Sequence, residues 1–190
     1  MLQSTAVPKS QRHSEQKARM TPAYLTLEDG TVFSGYLFGA QKEVCGEVVF
    51  STSMVGYPET LTDPSYRGQI LCLTYPLVGN YGVPSYNMLV DGLPNFFESD
   101  HIQVQGLIVH EVCDTPSHHQ STMTLNEWLV REGVPGIYGI DTRRLARLLR
   151  DKGVMPGSIR TERVENSSPL ERYDPNALDL AKEVSVSEPI

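Results

Sequence analysis

Residues 69–75 read Gln-Ile-Leu-Cys-Leu-Thr-Tyr and are closed by Pro76. A nearly unbroken apolar run of this length is too short for a buried helix. It fits a strand covered on both faces, as in a parallel sheet. Upstream, residues 48–52 (VVFST) form a second strand candidate, and downstream residues 104–112 (VQGLIVHEV) form a third. Between the first two lies a stretch crowded with polar, Gly and Pro residues. Connections of about two to six residues are the rule, whereas residues 53–67 make a loop of fifteen. Such a length points either to a loop with a task or interface or to a long, self-packed surface loop.

Further from this centre the pattern stays mixed. Residues 24–27 alternate β-formers, Glu28-Asp29-Gly30 supplies a hairpin turn, and Thr31-Val32-Phe33 begins the return strand. Residues 124–127 (TLNE) carry a capping-box signature, followed by Trp128, Leu129 and Val130 and stopped by Gly133. Residues 134–140 predict a short strand. Asp141 then caps a helix, TRRLARLLRDK, with Leu145, Leu148 and Leu149 at core spacing and Gly153 at its end. Residues 157–160 predict a last strand, and a short helix is expected within 177–183. No internal repeat is present. The fold class expected is α/β, a strand-rich mixed domain with few helices.

Bulk properties narrow the class of function. The 190 residues hold 16 Lys+Arg against 23 Asp+Glu, a net charge of -7. Length favours one domain, and a chain of this size buries a core without disulfides. An acidic chain is a poor match for nucleic acid or an anionic membrane, which call for a basic stripe. No apolar run approaches the roughly 18 residues of a bilayer span. Cys45, Cys72 and Cys113 are an odd set without a CxxC pair, fitting a reducing compartment rather than a disulfide or zinc framework. Residues 1–22 carry Lys9, Arg12, Lys17 and Arg19 against Glu15 alone. That basic, Ser- and Gln-rich leader without apolar periodicity is expected to be disordered. It lacks the apolar stretch of a secretory signal, while its basic, acid-poor composition is also that of a mitochondrial transit peptide. A cytoplasmic location is expected, with a mitochondrial one as the alternative.

The chemistry-bearing residues are sparse. Cys72 sits inside the apolar strand, where cysteine is a small hydrophobe. Cys45 has a following glycine but no helix behind it to form a nucleophile elbow. Cys113 ends a strand near His110, His118 and His119, so a small hydrolase using Cys113 with His118 or His119 is one alternative. The histidines with Asp114 match no standard zinc spacing. Gly79-Asn80-Tyr81-Gly82 lacks the Lys-Ser/Thr of a phosphate loop. Arg143, Arg144, Arg147 and Arg150 make one side of the second helix basic, either as a docking face or as its solvated side.

Several stretches together carry a family resemblance. LEDGTVFSGYLFG (27–39), GEVVFSTSMVGYPETLTDPSYRGQI (46–70), LTYPLVGNYG (73–82), GIDTRRLARLLRDKG (139–153) and DLAKEVS (179–185) occur in order. On these the chain resembles the N-terminal domain of the glutaminase (small) subunit of glutamine-dependent carbamoyl-phosphate synthetase. TPSHHQSTMTLNEWL (115–129) is more similar to the eukaryotic versions and leans towards the multifunctional pyrimidine-pathway proteins. Residues 23–173 would form this domain, 1–22 the leader, and 174–190 a linker towards a glutaminase domain.

The resemblance implies a swivelling β/β/α fold. It also implies membership of an enzyme that makes carbamoyl phosphate from glutamine, bicarbonate and two ATP, feeding pyrimidine or arginine synthesis. The glutaminase centre of the family, with its Cys nucleophile and His/Glu pair, lies in the second domain. No catalytic residue is therefore expected here, no cofactor is expected in this domain, and the stretch by itself is expected to be inactive. ATP and Mg belong to the synthetase part. The implied role is to dock the glutaminase onto the synthetase subunit, or onto a fused synthetase region. The implied contact with glutamine is the serine of the DPSY motif, Ser65, lining one edge of the pocket. Arg143, Arg147 and Arg150 are the candidate docking residues. A structural partner of some other complex is the remaining alternative.

Overall fold

The computed structural model describes residues 20–90, 93–163 and 180–185. The leader up to residue 19, the Ser/Pro-rich stretch after residue 166 and the 173/174 boundary lie outside the described residues. The first strand, β1 (Pro22–Leu27), turns through Glu28-Asp29-Gly30 into β2 (Val32–Gly39), the antiparallel hairpin that the turn chemistry predicts. β3 (Val44–Ser51) leads through a long connection to β4 (Gln69–Leu73). β8 (Gly106–Ile108), β10 (Pro135–Tyr138) and β11 (Met155–Arg160) complete the main sheet.

These seven strands close into a barrel in the order β1-β11-β3-β4-β8-β10-β2. β3, β4, β8 and β10 run parallel to one another, and the remaining pairings are antiparallel. Closure removes the unpaired edges that an open sheet of this length exposes. β4 lies in the middle of the parallel part, which is why both of its faces are apolar. Its Ile70 and Cys72 join Leu25, Phe33, Val48, Ile108, Ile137 and Ile159, so all seven strands feed this inner core. Its Leu71 and Leu73 face outward into a second core with Trp128, Leu129, Leu61 and Phe97. Burial pushes the Cys72 thiol up to about 12, so Cys72 behaves as the small hydrophobe its setting predicts.

The expected strand over 104–112 divides. Its first part is β8; at His110 the chain leaves the barrel, and β9 (Glu111–Val112) pairs in parallel with β5 (Leu77–Val78) as a separate two-stranded sheet. A second small sheet pairs β6 (Leu89–Val90) with β7 (Leu93–Pro94).

Two helices follow their capping signals closely. α2 (Leu125–Glu132) has the reciprocal Thr124–Glu127 capping box and ends at Gly133 in the left-handed region. Its buried side, Leu125, Trp128 and Leu129, covers the second core. α3 (Thr142–Lys152) is capped by Asp141, whose carboxylate accepts the Arg144 amide at 2.9 Å. Leu145 and Leu149 enter the inner core, with Leu148 half-buried beside them.

The last turn of α3 is tied to the β1–β2 turn by Lys152 Nζ, 2.8 Å from Asp29 Oδ2. That hydrogen bond, helped by donation from Thr31 and opposed by partial burial, lowers the Asp29 pKa from 3.8 to about 2. Because the folded value lies below the ordinary one, the pair stabilises the fold above the ordinary carboxylate range. Its contribution is lost as pH falls through the depressed value. Lys152→Met is expected to return the Asp29 titration, followed by carboxyl NMR, towards 3.8. An unmoved titration would remove Lys152 as its cause.

Candidate functional site

The β3–β4 connection is not the irregular loop its composition predicts. It holds a six-residue helix, α1 (Tyr57–Thr62), followed by a 3-10 turn over Pro64–Tyr66. Gly56 enters at φ 81, a left-handed conformation that glycine adopts at no steric cost. Pro58 sits in the first turn, where its missing N–H is not needed. Glycine and proline therefore start the helix here, although the same residues in a polar setting read as loop.

Both ends of α1 are fastened to the second core. At the start, the Tyr81 hydroxyl accepts the amides of Gly56 and Tyr57 at 2.9 and 3.0 Å. The Tyr57 ring stacks on Tyr81 with centroids 4.4 Å apart, and the Tyr57 hydroxyl donates to the Gly82 carbonyl. Burial drives the Tyr57 and Tyr81 hydroxyls upward in pKa, so both stay protonated and serve as fixed hydrogen-bond groups. At the far end Thr62 is fully buried. Its hydroxyl donates to the Pro58 carbonyl at 2.8 Å and accepts the Glu98 amide at 2.9 Å. The Ser99 hydroxyl donates to the Thr62 carbonyl at 2.6 Å, and the Gln103 amide to the Leu61 carbonyl at 2.9 Å.

This anchored helix delivers the turn that carries Ser65. Asp63 has φ -69 and ψ 119, the extended geometry that a following proline imposes. Its carboxylate accepts the Ser65 amide at 2.8 Å, and the Arg67 amide closes the turn on the Pro64 carbonyl at 3.1 Å. Beyond it, Gln69 begins β4 and donates through Nε2 to Glu47 at 2.7 Å. Ser65 is exposed, and among the described residues its hydroxyl has no hydrogen-bond partner. A rigid turn thus offers a free hydroxyl to solvent. Such a hydroxyl can both donate and accept a hydrogen bond from a preorganised backbone.

The other candidates are less converged. Arg143, Arg147 and Arg150 are exposed along one side of α3, at positions that share a helix face. Arg150 pairs with Asp151 at 3.3 Å, and Arg147 Nε lies 3.4 Å from the Arg143 carbonyl. Arg144 instead lies over the Phe33 ring at 5.2 Å. Among the described residues, no hydrogen bond or ion pair joins this stripe to the Ser65 turn. Near α1, Met54 and Val55 are 71% and 76% exposed and flank a shallow apolar groove shared with Tyr75 and Leu77.

Cys113 is half-buried and its amide donates to the Val78 carbonyl at 2.8 Å. His118 and His119 pack ring against ring at 4.4 Å, and His118 Nδ1 accepts the Gln120 amide. His110 Nδ1 is 2.9 Å from the Ile140 carbonyl. Among the described residues no hydrogen bond joins Cys113 to a histidine, and no group of three or more His, Cys, Asp or Glu could hold a metal. Likewise no helix among them is long and apolar enough to cross a membrane. Sequence reasoning missed Tyr57, Tyr81 and Thr62 as the fastenings of the site. Asp63 was legible, because Asp-Pro is a turn initiator.

Comparison with known proteins agrees with this frame. A family model described as carbamoyl-phosphate synthase small chain, CPSase domain, matches residues 25–159. The multifunctional protein URA2 of Saccharomyces cerevisiae is 47% identical over 181 residues, covering 87% of this chain and 8% of that protein. The carbamoyl phosphate synthase small chain of Pyrococcus furiosus is 54% identical over 148 residues, 78% of this chain and 40% of its own length. An arginine-specific small chain from Aspergillus oryzae is 46% identical over 168 residues, 88% of this chain and 37% of its own. The chain therefore spans well under half the length of the relatives it matches. With the barrel falling almost wholly within the matched span, the chain belongs to the carbamoyl-phosphate synthase small-chain family, as its CPSase domain.

Proposed function

We propose that this domain works as the non-catalytic N-terminal part of a glutamine-dependent carbamoyl-phosphate synthetase, and that Ser65 lines one edge of its glutamine pocket. The observation that carries the reading is the Ser65 turn: exposed, clamped by Asp63 and Pro64, with its hydroxyl unspent. The larger part of the pocket, with the nucleophile that hydrolyses glutamine, belongs to the glutaminase domain. The steps that use ATP and Mg belong to the synthetase part. The names of relatives support both a separate small chain and a fused form.

A neutral hydrogen bond to glutamine is worth about 0.5–1.5 kcal/mol. Ser65→Ala in the assembled enzyme is therefore expected to raise the glutamine requirement by a few-fold to roughly tenfold. Synthesis driven by ammonia bypasses the pocket and should not change. Paired kinetics with the two nitrogen sources checks this, and equal losses with both would remove Ser65 from the pocket.

Docking onto the synthetase part is the second half of the proposal. Its support is the basic stripe Arg143, Arg147 and Arg150 on an acidic chain, together with exposed Met54 and Val55. Charge complementarity acts mainly on association rate and salt sensitivity. Arg147→Glu is expected to slow association at low salt by several-fold and to flatten its salt dependence. An unchanged salt dependence, measured by titrating the synthetase part, would take the stripe out of the interface.

A further inference from the structure

The Ser65 turn is held between two firm ends, α1 and β4, yet the turn itself is lightly tethered. Among the described residues, the hydrogen bonds of 63–67 are internal to the turn, with one exception. Arg67 Nε donates to Glu183 Oε2 at 3.1 Å, across 116 residues of sequence. Glu183 belongs to α4 (Leu180–Val184), part of the segment expected to lead towards the glutaminase domain. The Arg67–Glu183 ion pair thus joins the turn that presents Ser65 to the segment beyond the barrel.

We propose that Arg67 and Glu183 are a positioning pair: their contact sets the Ser65 turn relative to the half of the glutamine pocket that follows α4. The inference rests on the reading of Ser65 as a pocket residue. Arg67 is two residues from Ser65, and its amide closes the same turn on the Pro64 carbonyl. A pull on its guanidinium is therefore passed to the backbone that carries the serine. At the exit from the turn, Gly68 at φ 78 redirects the chain into β4 in a conformation glycine adopts at no steric cost. The fixed points on either side are buried, so tilting of the turn is the motion left for a surface contact to control. Neither Arg67 nor Glu183 is given a contact with glutamine; both act through Ser65.

The pair is partly exposed, 32% for the Arg67 side chain and 43% for Glu183, so its effect is modest. In the assembled enzyme, R67E and E183R are each expected to raise the glutamine KM about two- to fivefold, or about 0.4–1 kcal/mol at 1.4 kcal/mol per factor of ten. The kcat and the ammonia-driven rate should hold. The charge-swapped double variant R67E/E183R should bring KM back towards wild type, which a general loss of folding would not do. Ser65→Ala, run beside them, separates the two claims. If Ser65→Ala raises KM while the single reversals do not, or while the swap fails to rescue, the positioning pair is wrong and the pocket reading stands. If Ser65→Ala leaves KM unchanged, the pocket reading falls and the positioning role falls with it.

Discussion

Replacing Trp128 with alanine is expected to destabilise this domain by about 3–5 kcal/mol. Trp128 is fully buried on α2 and is the only tryptophan in the chain. It packs edge-on to Phe97 with centroids 5.7 Å apart and lies 6.5 Å from Tyr86, which is itself stacked on Phe97 at 3.8 Å. Removing the indole empties the centre of the second core, against which the start of the Ser65 connection is also packed through Tyr57 and Leu61. At about 2–4 °C per kcal/mol for a domain of this size, the melting temperature should fall by roughly 6–20 °C. Burial raises the pKa of the Tyr86 hydroxyl, and the neighbouring Trp128 indole opposes that shift by hydrogen bonding. Trp128→Phe, which keeps an aromatic ring in the core and gives up only the indole N–H, should lose less than the alanine variant. Thermal unfolding followed by circular dichroism gives the comparison without relying on the fluorophore being removed. Equal losses in the two variants would mean that the ring is not what holds this core.

What was legible in the sequence, and what was not, divides along the distance over which a residue's partner lies. The run Ile70 to Leu73 announces a strand buried on both faces because every residue of it is apolar, whichever neighbour covers it. The Thr124–Glu127 box and the Asp141 cap are complete within four residues, so α2 and α3 fall where their signals stand. Barrel closure has no such local sign. β11 enters between β1 and β3, and β2 pairs with β10, through registers such as Leu25 with Ile159 and Phe38 with Gly136. Gly136 is needed because a Cβ there would run into the Phe38 ring, a demand invisible until the two strands meet. The helix inside 53–67 was hidden for a related reason. Its ends are stabilised by Tyr81, Glu98 and Ser99 rather than by its own six residues, too few to form a stable helix alone. The Ser65 turn sits between these cases. Asp63-Pro64 makes its shape local and readable, while its tether, Glu183, is remote.

That local rigidity decides what a bulky residue does at position 65. Ser65→Phe is expected to cut glutamine-driven synthesis by roughly tenfold to a thousandfold, well beyond Ser65→Ala. The alanine change removes one hydrogen bond, about 0.5–1.5 kcal/mol. The phenylalanine adds steric overlap with a ligand held against the turn, for which about 1–3 kcal/mol is usual when atoms are forced into a filled space. Each 1.4 kcal/mol is a factor of ten, which gives the span stated. The fold itself should tolerate the ring. Ser65 points away from both cores and its amide, not its side chain, serves the Asp63 clamp. Exposed substitutions of this kind usually stay within about 0.5 kcal/mol, so the melting temperature should hardly move. Ammonia-driven synthesis, which needs no glutamine pocket, should be kept. The decisive measurement is the ratio of glutamine-driven to ammonia-driven rates in wild type, Ser65→Ala and Ser65→Phe. A ratio that falls in that order places a ligand against the serine. A common fall in both rates places Ser65 at a docking or folding contact, and an unchanged ratio in the phenylalanine variant leaves no room for glutamine at this turn.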